Sequence, residues 1–137
     1  MGEGNMLDEE WKDPIDITKE QWMVLLKNKD IITEEDLRLL KALYDCPGCE
    51  ARSPQLAQVL NMPHHAPINN QAYRLGVRIV EKLNILAPKY HNPDKYGEGF
   101  NWWNVPFWGV QRKRKIYWIL RPELQEAMQN TLDLMLQ

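Results

Sequence analysis

Residues 53–83 read SPQLAQVLNMPHHAPINNQAYRLGVRIVEKL, and the rest of the chain is organised around them. Ser53 is a favourable N-cap, and Pro54 suits a first helical turn, where a missing N–H costs nothing. Leu56, Ala57 and Leu60 give this first helix an apolar stripe, and Asn61-Met62-Pro63 stops it. A second helix restarts at Pro67. Its Ile68, Ala72, Leu75, Ile79 and Leu83 fall four, three, four and four residues apart, which puts them on one face. Asn70 and Arg74 occupy the opposite face, with Arg78 at its edge. A helix, a short turn and a polar, basic second helix is the arrangement that sets a recognition helix against DNA. The same pattern also builds ordinary helical cores, so alone it leaves both readings open.

The distribution of charge favours the first. The net charge of −2 conceals a split: residues 1–50 hold 6 Lys/Arg and 13 Asp/Glu, whereas residues 51–115 hold 10 and 3. A segment of net +7 beginning at the helix-turn-helix is the electrostatic footprint of a polyanion site. At 137 residues the chain is long enough for one self-sufficient core. No apolar run approaches the roughly 18 residues that span a bilayer, and no secretory leader is evident. Two cysteines fit a reducing compartment, so a cytoplasmic location is expected.

Around the central pair the elements read in order. Residues 1–16 are acidic and broken by Asp13-Pro14; they are expected to be a flexible amino terminus, loosely attached apart from Trp11, before a single domain over 17–137. Thr18 with Gln21, and Thr33 with Asp36, are capping-box pairs. The first opens a helix burying Trp22, Leu25 and Leu26, the second a helix with Leu37, Leu40 and Tyr44 inward. Cys46-Pro-Gly-Cys49 reads as a turn: zinc would need two further ligands, and the only histidines are His64, His65 and His91. A redox pair would want a preceding strand rather than a helix.

Asn84–Pro88 resembles a short strand, and residues 89–101 a loop that is mobile when nothing is bound. WWNVPFWGV and KIYWILRP alternate as two strands joined by a basic turn, with Pro106 confined to an edge or bulge. Trp103 and Trp118 are expected in the core, with Trp102 or Trp108 nearer the surface. Pro122–Gln137 closes the chain as a helix with Leu124, Met128, Leu132 and Met135 inward. The expected fold is α+β and mostly helical, a winged-helix-like domain with a helix-turn-helix and a small β-hairpin.

No nucleophile elbow or phosphate-binding glycine loop is present, so the chain reads as a non-catalytic binder without metal or cofactor. Its candidate surface has three parts. The turn holding His64, His65 and Ala66 lies at a helix amino end, where free N–H groups favour an anion. The helix adds Asn69, Asn70, Tyr73 and Arg74, residue types that reach base edges or phosphates. Arg112, Lys113, Arg114 and Lys115 of the wing, with Arg78 and Lys89, complete the phosphate set.

The segment CEARSPQLAQVLNMPHHAPINNQAYRLGVRIVEKL, followed by WWNVPFWG and IYWILRPELQEAM, resembles the amino-terminal recognition domains of McrA-like HNH restriction proteins. The resemblance covers roughly residues 17–129, with RLGVRI and LRPEL its most specific pieces. That group includes DNA sulfur-binding domains, which recognise duplexes whose backbone carries phosphorothioate. The resemblance implies that His64, His65 and Ala66 of the turn, with Asn69, Tyr73 and Arg74 of the helix, form the sulfur site and hold its phosphate and bases, and that Pro106 supplies ring atoms to the pocket wall. It also implies a targeting role for a nuclease, fused or separate. The turn departs from the family, carrying His64-His65-Ala66 where relatives commonly have arginine and glycine. Two other readings stand beside this one: a domain reading unmodified DNA, and a protein-interaction module.

Overall fold

The computed structural model describes residues 9–135, the side chains of 132–135 excepted. In chain order the elements are β1 (Glu10–Trp11), α1 (Lys19–Leu26), α2 (Glu34–Tyr44), β2 (Glu50–Ala51), α3 (Ser53–Val59), α4 (Ala66–Leu83), α5 (Pro93–Tyr96), β3 (Phe107–Arg112), β4 (Lys115–Leu120) and α6 (Pro122–Met135). Single 3-10 turns lie at Pro47–Cys49 and Trp102–Asn104. The fold is α+β and about half helical, with an antiparallel sheet in the order β1-β3-β4-β2.

Local chemistry accounts for the helix ends. Both capping boxes form: Thr18 Oγ1 accepts from the Gln21 N–H at 3.1 Å, and Thr33 Oγ1 from Asp36 at 3.1 Å. Each partner returns the bond to the cap N–H, at 2.8 and 2.9 Å. Ser53 sits one position inside α3 instead of capping it. Arg52 is the cap, and its N–H is taken by the Gln55 side chain at 2.8 Å. Asn61, with φ of 58°, ends α3: the Met62 N–H reaches back to the Ala57 carbonyl at 2.8 Å and the Asn61 N–H to Gln58 at 3.2 Å. This closes a Schellman motif, in which asparagine tolerates the left-handed conformation.

One apolar cluster joins every major element. Trp22 and Leu25 of α1, Leu39 and Leu43 of α2, and Leu56 of α3 meet Ile68, Leu75 and Ile79 of α4. Phe107, Trp118 and Leu120 close the core from the sheet, and Leu124 and Met128 from α6. The expected inward positions Leu132 and Met135 lie outside the described side chains. On α2 the buried face is turned from the expected one: Leu37 and Tyr44 are only partly buried, while Asp36 is 1% exposed. Its carboxylate accepts from Gln71 Nε2 at 3.0 Å and is paired with Arg78, which brings Asp36 inward without leaving it unsatisfied.

The amino-terminal strip is held beyond Trp11, the one residue of it expected to be anchored. Residues 9–16 are part of the fold, and residues 1–8 lie outside the described region. Trp11, 1% exposed, pairs with Gly109 at the sheet edge, and Asp13 holds His91 at 2.6 Å. Burying an indole offsets the ordering cost of a two-residue strand.

The aromatic run 102–110 is not one strand. Asn104 donates to the carbonyls of Trp11 (2.9 Å) and Phe107 (2.7 Å), and Arg121 donates twice to the Asn104 carbonyl (3.1 and 2.7 Å). These bonds hold Trp102–Asn104 as a 3-10 turn, so the ladder starts only at Phe107. Burial pushes the Arg121 guanidinium down to about 10, which leaves it cationic at neutral pH. A Cβ on Gly76 would overlap the Trp102 carbonyl, and one on Gly109 would overlap the Trp103 ring. Glycine is therefore required where α4 meets the turn. Trp118 is core as expected, but Trp103 is only partly buried, lying over Gly109 between Trp11 (5.7 Å) and Trp118 (6.1 Å). Residues 85–88 form no strand; a lone bridge joins Lys89 to Phe100.

Candidate nucleic-acid interface

His64, His65, Ala66, Asn69, Asn70, Tyr73 and Arg74 are all exposed, spread over the turn and the first two turns of α4. Within α4 itself the N–H groups from Ala66 to Asn69 are engaged or absent, so they are not free as expected. The Ala66 N–H goes to His64 Nδ1 at 3.3 Å, and Pro67 has none. The Ile68 and Asn69 N–H groups both go to the His65 carbonyl, at 3.0 and 3.1 Å. Pro63 and Ala66 are exposed and Pro67 partly so, leaving a small apolar step at the positive end of the helix dipole. An anion here would meet side chains, methyl and ring atoms more than backbone donors.

Arg78 belongs to a different arrangement. Its Nε donates to the Ile31 carbonyl at 2.9 Å and its Nη2 pairs with Asp36, so the side chain ties α4 to α2. Pro106 is buried, with its carbonyl accepting from the Arg121 N–H at 3.3 Å, and it presents no ring surface. Both drop out of the expected contact set on these grounds.

The hairpin tip is exposed from Arg112 to Ile116. Arg112 pairs with Lys115 in register, so the connecting turn is Lys113-Arg114, with φ of 52° and 69°. Two positive φ values define the tight hairpin turn that normally selects Asn-Gly. Two long cationic residues stand in it, each at a cost of about 1 kcal/mol. Arg112 is braced by Glu50 on β2 and lies over the Tyr117 ring at 5.1 Å. Lys89, also exposed, lies over Phe100 at 5.8 Å.

The tryptophan turn contributes a feature that the helical spacing does not reveal. Trp102 packs edge-on against Tyr73 at 6.0 Å and at a tilt against Phe100 at 5.2 Å, which carries an aromatic chain outward from the middle of α4. Gly76, one turn beyond Tyr73, was the only sequence signal of that close approach.

Cys46 and Cys49 donate to the carbonyls of Ala42 (3.3 Å) and Tyr44 (3.5 Å). Burial raises both thiols above the ordinary cysteine value, helped at Cys46 by Asp45 and at Cys49 by Cys46 and Asp45. Among the described residues no group of three or more His, Cys, Asp or Glu side chains is placed to hold a metal, and no helix is long and apolar enough to cross a membrane.

No family model matches the chain, and neither the curated proteins nor the solved structures include a match to it.

Proposed function

We propose that this chain is a non-catalytic winged-helix domain that binds duplex DNA bearing a backbone phosphorothioate, and that it directs a nuclease to such DNA. The chain path supports the fold reading. α2, β2, α3 and α4 come in that order, β3 and β4 follow after the short helix α5 and the tryptophan turn, and β2 lies beside β4 in the sheet. In a winged helix that path makes α4 the recognition helix and the β3–β4 turn the wing.

The observation that carries the sulfur reading is the turn before α4. It combines exposed apolar atoms of Pro63 and Ala66 with donors at Ala66, Ile68 and Asn69 that are already used. A phosphate oxygen docked there would lose hydration without replacement, whereas sulfur, larger and a poorer acceptor, loses less. Asn69, Asn70, Tyr73 and Arg74 lie within two helical turns to engage the flanking phosphate and bases. Lys113 and Arg114, held in a strained turn that a smaller pair would fill better, are suited to sequence-independent backbone contact. The acidic residues concentrated in 1–50 oppose indiscriminate binding, which fits a selective reader.

The test is fluorescence anisotropy on duplexes identical except for one phosphorothioate, at near-physiological salt. The sulfur duplex is expected to bind at least about tenfold tighter, or 1.4 kcal/mol. His65→Ala should narrow that preference more than it weakens the oxygen duplex. Equal binding to both duplexes would leave an ordinary DNA-binding domain, and binding to neither would leave the protein-interaction reading.

A further inference from the structure

The loop after α4 is built, not merely connecting. Lys89 and Phe100 face each other as an antiparallel bridge, the Tyr90 N–H bonds the Gly99 carbonyl at 3.2 Å, and the Asn101 N–H bonds Pro88 at 2.7 Å. Residues 88–90 and 99–101 thus form a short ribbon. Its connecting segment is shaped by α5, whose cap Asn92 accepts from the Lys95 N–H at 3.2 Å. Between ribbon and segment lies a cleft of about 510 Å³, lined by Lys89, Tyr90, Pro93, Glu98, Gly99 and Phe100. That volume falls within the roughly 300–1,000 Å³ of small-molecule sites.

Two aromatic rings of this cleft are fixed by their neighbours. Tyr90 stacks on Tyr96 with centroids 5.3 Å apart and planes 20° from parallel. Phe100, 36% exposed, is backed by Trp102, and Trp102 by Tyr73 of α4. The cleft is therefore joined to the exposed face of α4 by a continuous chain of rings. Burial raises the Tyr90 hydroxyl, with smaller contributions from Tyr73 and Tyr96, which agrees with the close grouping of the three phenols.

We propose that this cleft holds one nucleobase, unstacked from the duplex lying on α4, and that it favours bases with an exocyclic amino group. The inference rests on the DNA reading of α4. Rigid ring faces at a surface are what an unstacked base seeks, at about 1–3 kcal/mol per base. Lys89 supplies the cation for the adjoining phosphate, and Glu98 an acceptor for an amino group. Cytosine, adenine and guanine offer that donor, whereas thymine's one base-edge donor, N3–H, is flanked on both sides by carbonyl oxygens, which a carboxylate repels. An acidic side chain in the cleft also argues against a second phosphate as the occupant.

Two measurements on the full chain test the cleft and the duplex reading separately. Aromatic-region NMR with deoxycytidine monophosphate should shift the Tyr90 and Phe100 ring signals, and thymidine monophosphate should do so at least severalfold less. Anisotropy should show a duplex with a central C·A mismatch binding about tenfold tighter than its paired counterpart, because the cost of unpairing is already met. Phe100→Ala should remove that preference, weakening the mismatched duplex at least severalfold more than the paired one. Glu98→Gln, a milder change at an exposed position, should reduce the discrimination between the two mononucleotides. Ring shifts with neither mononucleotide, or equal shifts with both, would overturn the proposal even if both duplexes bind. Ring shifts with deoxycytidine monophosphate but no duplex binding would uphold the base-binding cleft and remove the reading of α4.

Discussion

Arg74 and Arg78 lie one turn apart on α4, yet the structure uses them in opposite ways. Arg78 reaches under the helix to a carboxylate that is almost wholly buried and to the Ile31 carbonyl in the connection between α1 and α2. Arg74 projects outward and has no ion pair or hydrogen bond among the described residues. The contrast extends along the helix. Gln71, on the Arg78 side, bonds the same carboxylate, and Gly76 is closed off by the Trp102 carbonyl, whereas Asn69, Asn70 and Tyr73 are exposed. A basic residue on a helix is thus not in itself a nucleic-acid contact; its neighbours across the interior decide.

The strongest way to break the inner side is Gly76→Ala. Its methyl would overlap a backbone carbonyl that is held in the tryptophan turn, so neither side can yield cheaply. Loss of about 3 kcal/mol is expected, at the upper end for overpacking. Chemical denaturation would read it as a lower midpoint, and an unchanged midpoint would mean that α4 and the turn are not in contact.

The two arginines themselves give the sharpest contrast. Arg78→Ala strands the Asp36 carboxylate and should cost about 2 kcal/mol of stability, less than a fully buried pair because the guanidinium is 29% exposed. Arg74→Ala should stay within about 0.5 kcal/mol of the parent in stability and lower duplex affinity instead. If both variants lost stability equally, the distinction between inner and outer faces would collapse.

The hairpin tip extends the comparison to a second element. Changing Lys113-Arg114 to Asn-Gly relieves two left-handed backbone positions and should stabilise the protein by about 1–2 kcal/mol. The same change should flatten the salt dependence of duplex binding by up to about 1.8 in log–log slope, at roughly 0.9 for each phosphate no longer neutralised. A gain in stability with an unchanged slope would take the tip off the phosphates while leaving the strain argument intact.

Much of the fold was legible because it depends on neighbours in sequence. The capping pairs at Thr18 and Thr33 and the α4 stripe of Ile68, Ala72, Leu75 and Ile79 all stand as their spacing predicts. So does the β3–β4 hairpin around a basic turn, though its first strand is shorter than the alternation suggested. The site was legible only as a set of exposed polar residues on α4. Arg78 passed for a member because spacing along a helix says which face a residue occupies, not what lies opposite it, and Pro106 because the resemblance implied a ring that the fold instead buries.

The division has a physical basis. Helix caps, apolar periodicity and charge segregation are properties of stretches a few residues long, so the amino-acid order alone determines where these helices begin and which stripe they bury. Trp102–Asn104 alternates like a strand, but Asn104 and Arg121 bind it into a turn through contacts 17 residues apart. Trp11 becomes part of the sheet only because Gly109 and Asn104, more than 90 residues further on, provide its hydrogen-bond partners and the space for its ring. Such contacts exist only once the chain has closed on itself, and they decide which aromatic rings are packed away and which line the cleft beside α4.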